Sequence, residues 1–251
     1  VIVRRKHVRI LSIILVLFFF GCKKTQPKTG EQISNSKSIE NKIKKAKPKE
    51  MEIPEGFSID TISFSDESKR LETEIILPIS GIREFDNSVK NEILCRRSSF
   101  INELTKRIKD DNGGVSVIGS SFTAELVSIF RSKNLISYCF RISDYVGGNV
   151  HPMDIYYSMN YNFKTNKHIS FNDYFNIRTK KDTLFLTQTI TKTINEETIL
   201  VENLKNLDFN IERDSISFNY DDYEIASYAF GLIRAKISKQ ELKSKINDNY
   251  W

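Results

Sequence analysis

GGNVHPMDIYYSMNYNFKTNKHISFNDYF, residues 147–175, carries the cleanest alternation in this 251-residue chain. Ile155, Tyr157, Met159, Tyr161 and Phe163 fall at every second position, which places all five on one face of a strand. Lys164 to Lys167 is a polar, turn-like tetrapeptide, and Ile169 and Phe171 resume the alternation on an expected returning strand. Gly147-Gly148 precedes this hairpin and allows positive φ and a close backbone approach.

The same period recurs on both sides. Upstream, Phe57, Ile59, Ile62 and Phe64 suggest a short strand, and Leu71, Thr73, Ile75, Leu77 and Ile79 a firmer one with Glu72 and Glu74 outward. Pro78 marks that strand as an edge or its end. Asp86 to Lys109 has helical spacing through Val89, Ile93, Phe100, Leu104 and Ile108, with Asp86, Asn87 or Ser88 as cap and Gly113-Gly114 as stop. Phe122, Ala124, Leu126, Ser128 and Phe130 alternate, and Ile136, Tyr138, Phe140 and Ile142 alternate on a partner across the turn at Ser132-Lys133-Asn134. Downstream, Phe175 to Asn195 reads as a second helix, and Phe209-Ile211 with Ile216-Phe218-Tyr220 as a hairpin about Glu212-Arg213-Asp214. Leu232 to Ile237 is a strand, and Ser238-Lys239-Gln240-Glu241 matches a capping box ahead of a short terminal helix. Hairpins with interspersed helices predict an α+β fold, an antiparallel sheet with helices packed on one face.

Charge divides the chain. Residues 1–50 hold 13 Lys/Arg and 3 Asp/Glu, while residues 51–251 hold 25 and 29, so the net +6 belongs to the N-terminal part and the remainder is mildly acidic. Nucleic-acid binding needs a basic face on the folded domain, and no nucleic-acid partner is expected. Arg4, Arg5, Lys6 and Arg9 precede an apolar run from Ile10 to Phe20. As a helix that run spans ~16 Å against the ~30 Å of a bilayer core, which suits a signal peptide and not a membrane span. Gly21-Cys22 follows at once and resembles a bacterial lipobox. The expected organisation is a lipoprotein signal peptide at 1–21, a lipid anchor on Cys22 with a basic disordered tether at 22–50, and an envelope domain at 51–251. Lys23-Lys24 after the cysteine points to a periplasm-facing location. Cys95 and Cys139 leave two readings open, a disulfide in an oxidising compartment or two buried thiols packed as small hydrophobes.

Motifs for chemistry are sparse. There is no Gly-x-Ser-x-Gly elbow, phosphate-binding loop or dinucleotide glycine pattern, and no cofactor is expected. His151 and His168, beside Asp154 or Asp173, form a ligand set on paper but lack zinc-site spacing, so a loop-ordering role is preferred and no metal is expected. Asp221, Asp222 and Glu224 cluster in FNYDDYEIASYAFG. Paired carboxylates do acid–base work on sugars, but sequence neighbours on a loop more often cap backbone amides or take up a cation. Tyr220, Tyr223, Tyr228 and Phe230 beside them, with Tyr145, Tyr156 and Tyr157 earlier, are either core, where they alternate, or a recognition surface, where they lie on loops.

Residues 144–175, DYVGGNVHPMDIYYSMNYNFKTNKHISFNDYF, and residues 215–242, SISFNYDDYEIASYAFGLIRAKISKQEL, together resemble the domain of unknown function found at the extracytoplasmic end of the RsiV anti-sigma factor and in PdaC-type peptidoglycan deacetylases. The similarity runs from about Ile59 to Ile246, with Asn149-Val150 in place of a single alanine and Ser227 where proline is common. The resemblance implies an α+β extracytoplasmic domain without its own catalytic centre, a lysozyme receptor in the anti-sigma relative. It makes Gly147, Gly148, His151, Tyr220, Asp221, Tyr223, Glu224 and Tyr228 the ligand-binding candidates. The expected function is therefore a lipid-anchored, non-catalytic binding module for a lysozyme-like protein or a cell-wall glycan. The alternatives are a weak carbohydrate-active hydrolase using Asp221, Asp222 or Glu224, or a purely structural envelope lipoprotein.

Overall fold

The computed structural model describes residues 53–110, 119–194, 204 and 207–250, all within one compact unit, Pro48–Trp251. Cys22, the expected leader and tether, and Gly113-Gly114 lie outside the described residues. Among the described residues, no helix is long and apolar enough to cross a membrane.

Among the described residues, nine strands form two sheets. The larger runs β1 (Ser58–Asp66), β2 (Leu71–Ile79), β3 (Ser120–Arg131), β4 (Leu135–Tyr145), β5 (Met153–Asn162) and β6 (Lys167–His168) in chain order, antiparallel except for β2–β3. That pair is parallel because the 28-residue helix α1 (Arg83–Asp110) lies between them in the chain, as a crossover requires. The smaller sheet is the antiparallel meander β7 (Asp208–Ile211), β8 (Ser215–Tyr220) and β9 (Ile233–Ser238). The remaining α-helices are α2 (Phe171–Tyr174), α3 (Lys180–Ile194) and α4 (Lys239–Leu242). The α+β class therefore stands, with the strands divided between two sheets and one parallel pair among the hairpins.

Each sheet buries its own apolar face against its own helices. On the larger sheet Leu71, Ile75 and Leu77 of β2, and Ile136, Tyr138, Phe140 and Ile142 of β4, meet Phe85, Val89, Ile93, Phe100 and Leu104 of α1. On the smaller, Phe209, Ile211, Ile216, Phe218, Ala235 and Ile237 meet Leu186 and Ile190 of α3 and Leu242 of α4. Truncating one such buried Leu or Ile to Ala costs about 2–5 kcal/mol. The inner faces meet across a polar layer instead. The Ser137 hydroxyl donates to Asn160 Oδ1 (2.6 Å) and accepts from the Ile211 amide (2.9 Å). Asn219 Nδ2 donates to Ser158 Oγ and Asn210 Oδ1, both at 3.0 Å, and Arg234 pairs with Glu212 at 2.7 Å.

Several local expectations change. α1 begins at Arg83, so Asp86 lies inside it and reaches back to accept from the amides of Ser80 and Gly81 and the Ser80 hydroxyl. A bulge between Leu126 and Ser128 slips β3 by one residue. Ser128 then faces the polar layer, and Phe130 packs with the smaller sheet's core. The returning strand shrinks to β6, and Phe171 enters α2, whose turn is started by a Ser170–Asp173 capping box. The helix expected over Phe175–Asn195 is interrupted. Phe175 is extended and bridges Ile246, and α3 starts only after Thr179, which exchanges hydrogen bonds with Asp182 in a second box. Cys95 is exposed on α1, Cys139 is buried on the opposite face of the sheet, and both are free thiols.

Candidate functional site

Two segments distant in sequence converge at the start of β5. The first is the loop from Gly147 to Pro152, the second the loop from Asp221 to Gly231 that leaves β8. Gly148 has φ +94°, a conformation L side chains rarely adopt, and a Cβ there would meet nothing within 4 Å. Its glycine serves the turn and not a close approach. The Gly147 amide donates to Ser120 Oγ at 2.9 Å, which ties the loop to β3.

The second loop caps the outer edge of β5. The Tyr156 amide donates to Asp221 Oδ1 at 2.7 Å, and the Asp154 amide to Asp222 Oδ2 at 3.0 Å. The Asp222 amide returns a bond to the Asp154 carbonyl at 3.2 Å. Asp208 accepts from the Ser158 hydroxyl at 3.0 Å and from the main chain of Phe209 and Ser158. Residues 154, 156 and 158, alternate positions along one edge, thus each meet an aspartate. Carboxylates stand where a neighbouring strand's carbonyls would, which closes an edge open to unwanted pairing. Glu224 accepts from the Asp221 amide at 2.9 Å and shapes the turn. Burial pushes the Asp221 carboxyl up to about 6, against the lowering effect of the Tyr156 amide. Asp154 forms an ion pair with Arg141, and burial, then the Asp154 charge, raise Asp144.

Above this frame lies an aromatic face. His151 and Tyr228 stack with ring centroids 3.5 Å apart and planes 15° from parallel. Tyr223 lies 5.8 Å from Tyr228, and its hydroxyl meets His151 Nε2 at 3.0 Å. His151 Nδ1 is 2.9 Å from the Pro152 carbonyl. That carbonyl only accepts, so Nδ1 carries the proton, and in the neutral ring Nε2 accepts from Tyr223. Tyr223 has φ +64°, a left-handed conformation that costs a non-glycine residue about 1–2 kcal/mol. It is 53% exposed, and Val150 (97%) and Phe230 (46%) expose further apolar surface on the same two loops.

Of the candidates, Gly147, Gly148, His151, Asp221, Tyr223, Glu224 and Tyr228 come together. Tyr220 does not belong with them. It is 2% exposed in the smaller core, where burial raises its hydroxyl's pKa, because it continues the inward alternation of Ile216 and Phe218. His168 sits at the far end of β5 with Ser88 and Phe85, so the two histidines share no site. Val150, Arg141 and Asp208 are members of the site or its edge that sequence reasoning missed, whereas Phe230 was among the loop aromatics it singled out; Val150 had a signal, an apolar residue in a loop that follows a glycine pair.

The second loop falls within a recognised family region. Residues 176–240 match the family described as "Protein of unknown function (DUF3298)". The match spans α3 through β9 and includes the Asp221–Tyr228 turn. The fold is similar to that of a DUF3298 family protein from Pseudomonas aeruginosa PAO1, with a TM-score of 0.57 at 13% identity, over 79% of this chain and 97% of that one. It is similar also to a DUF3298 family member from Bacteroides fragilis NCTC 9343, with a TM-score of 0.54 at 15% identity, over 77% and 94%. At these identities the likeness is one of fold. No curated protein matches the chain.

Proposed function

We propose that this chain is a non-catalytic binding module of the bacterial cell envelope, anchored through lipid on Cys22, whose aromatic loop face takes a lysozyme-like protein. The observation that carries the reading is the joining of the two motifs that resemble the RsiV and PdaC-type domain. Residues 176–214 separate them in the chain, yet His151 of one stacks on Tyr228 of the other and meets Tyr223 at its rim. A strained, exposed tyrosine on a rigid frame suits recognition, since backbone strain persists where the surroundings hold it for a purpose. Aromatic anchors dominate protein interfaces, and the mildly acidic domain would steer a basic partner.

The hydrolase alternative loses support from the same geometry. Asp221 and Asp222 are engaged by backbone amides of β5, which is structural work. A glycan remains the second reading, because the stacked pair His151 and Tyr228 beside Tyr223 offers flat rings to a sugar face. Titration calorimetry of the full chain against lysozymes of the common structural types, and against soluble peptidoglycan fragments, tests both. The expected result is a lysozyme heat that shrinks as salt screens charge beyond ~8 Å, and that is lost in Tyr223→Ala and Tyr228→Ala. Heat with the fragments alone would transfer the reading to the glycan, and silence with both would end it.

A further inference from the structure

A second concavity follows the outer edge of β5 away from the loop face. It is a cleft of about 740 Å³ between that edge, the turn at Ser170–Asn172, α3 and the start of β7. Its size falls within the ~300–1,000 Å³ of small-molecule sites. Tyr156, Tyr157 and Phe171 supply aromatic walls, and Asp208, Ser158 and Asn172 the polar groups.

Asp208 decides what the cleft suits. None of the ion pairs among the described residues includes it. Burial pushes its carboxyl up to about 7, and the nearby Asp221 charge pushes the same way. A carboxylate short of both water and a counter-ion gains most when a cation arrives. Arg96 is stacked 4.3 Å over the Tyr157 ring, is paired with Glu92 and acts on Asp221, while the Asp208 carboxyl is met by hydrogen bonds from Ser158 and Phe209 and by no ion pair among the described residues. The Asp208 charge, with that of Asp221 nearby, repels an anion, and a neutral ligand brings no counter-charge. A divalent metal is poorly served, since among the described residues no three metal-ligating side chains converge. An ammonium carried on carbon meets every wall, because aromatic faces attract cations and the methylenes cover apolar surface.

We propose that this cleft binds an alkylammonium ion, its charge against Asp208 and its carbon chain along Tyr156, Tyr157 and Phe171. The ionisable groups that act on Asp208 or feel its charge include Asp221 on the loop after β8, Tyr157 on β5 and the Cys139 thiol on β4. Burial raises the last two to about 12, so between pH ~5 and ~8 only the aspartates change charge.

The test is calorimetry of the full chain with cadaverine, with n-pentanol as the same chain lacking charge, and with a capped lysine tripeptide. Cadaverine is expected to bind at least ~10-fold tighter at pH ~8 than at pH ~5, where Asp208 is protonated. Pentanol is expected to show no comparable binding, and Asp208→Asn to weaken cadaverine roughly tenfold. Equal binding of the tripeptide assigns a protein's lysine as the ligand, and binding of cadaverine alone assigns a free amine. Absence of binding by both amines, pentanol matching cadaverine, or a folded Asp208→Asn that binds unchanged overturns the proposal. If that variant misfolds, the carbon-13 shift of the Asp208 carboxyl in the unaltered chain decides. At pH ~6, below the value of about 7 to which burial pushes this carboxyl, cadaverine must move it toward the ionised value, and an unmoved signal there overturns the proposal equally.

Discussion

Tyr223 and Asp208 show two ways in which one residue departs from its comfortable state. Tyr223 keeps a left-handed backbone so that its ring projects beside His151 and Tyr228. Asp208 keeps a carboxyl whose protonation burial favours, up to about 7 in the fold against about 3.9 in an unfolded chain. Between those values the folded state binds more protons than the unfolded one, so this residue's contribution to stability falls as pH rises from ~4 to ~7. Asp208→Asn should therefore stabilise the protein by about 1–2 kcal/mol at pH ~8 and change little near pH ~4, read from denaturant midpoints. A gain equal at both pH values would refute that cause. Neither residue's state was legible in the sequence. Tyr223 stood out as a loop aromatic, but its strain follows from a turn whose carboxylates are held by another strand. Asp208 sits one residue before a predicted strand and gives no sign of the β5 edge it meets.

The element that organises the site is β5, and the turn Asp221–Glu224 is the device that closes its edge. With Asp221→Ala, the Tyr156 amide loses its acceptor at 2.7 Å. The expected cost is about 1–2 kcal/mol, with faster hydrogen exchange at Tyr156 and little change at β2. Unchanged protection of Tyr156 would show that another group takes over the cap. Strands were the most legible elements, because each buries one face and the period of two survives in Ile155 to Tyr161 and in Ile136 to Ile142. The errors came where a non-local partner decides. The bulge at β3 turns Phe130 to the second sheet. The bridge from Phe175 to Ile246 breaks a helix whose spacing looked continuous, although both capping boxes, at Ser170 and Thr179, were written in the sequence. Two sheets in place of one could not be read, since serines and asparagines on the inner faces look like solvent-facing positions.

At the scale of the molecule, two helix-covered sheets meet through a polar layer and leave the β5 loops as an aromatic end. The α+β class was legible from hairpins and helices together, whereas the pairing of His151 with Tyr223 and Tyr228 needed the fold. The proposed anchor predicts that Cys22→Ala moves the chain from the detergent phase to the aqueous phase or leaves it as precursor. A fatty-acid label that survives the substitution would remove Cys22 as the attachment point. If the two loops act as one recognition surface, hydrogen–deuterium exchange of the full chain with and without bound lysozyme will register both together. Slowed exchange is expected at residues 147–153 and 221–231, with α1 and β1 unchanged. Protection confined to α1 or β1, with both loops exchanging as in the free chain, would contradict it.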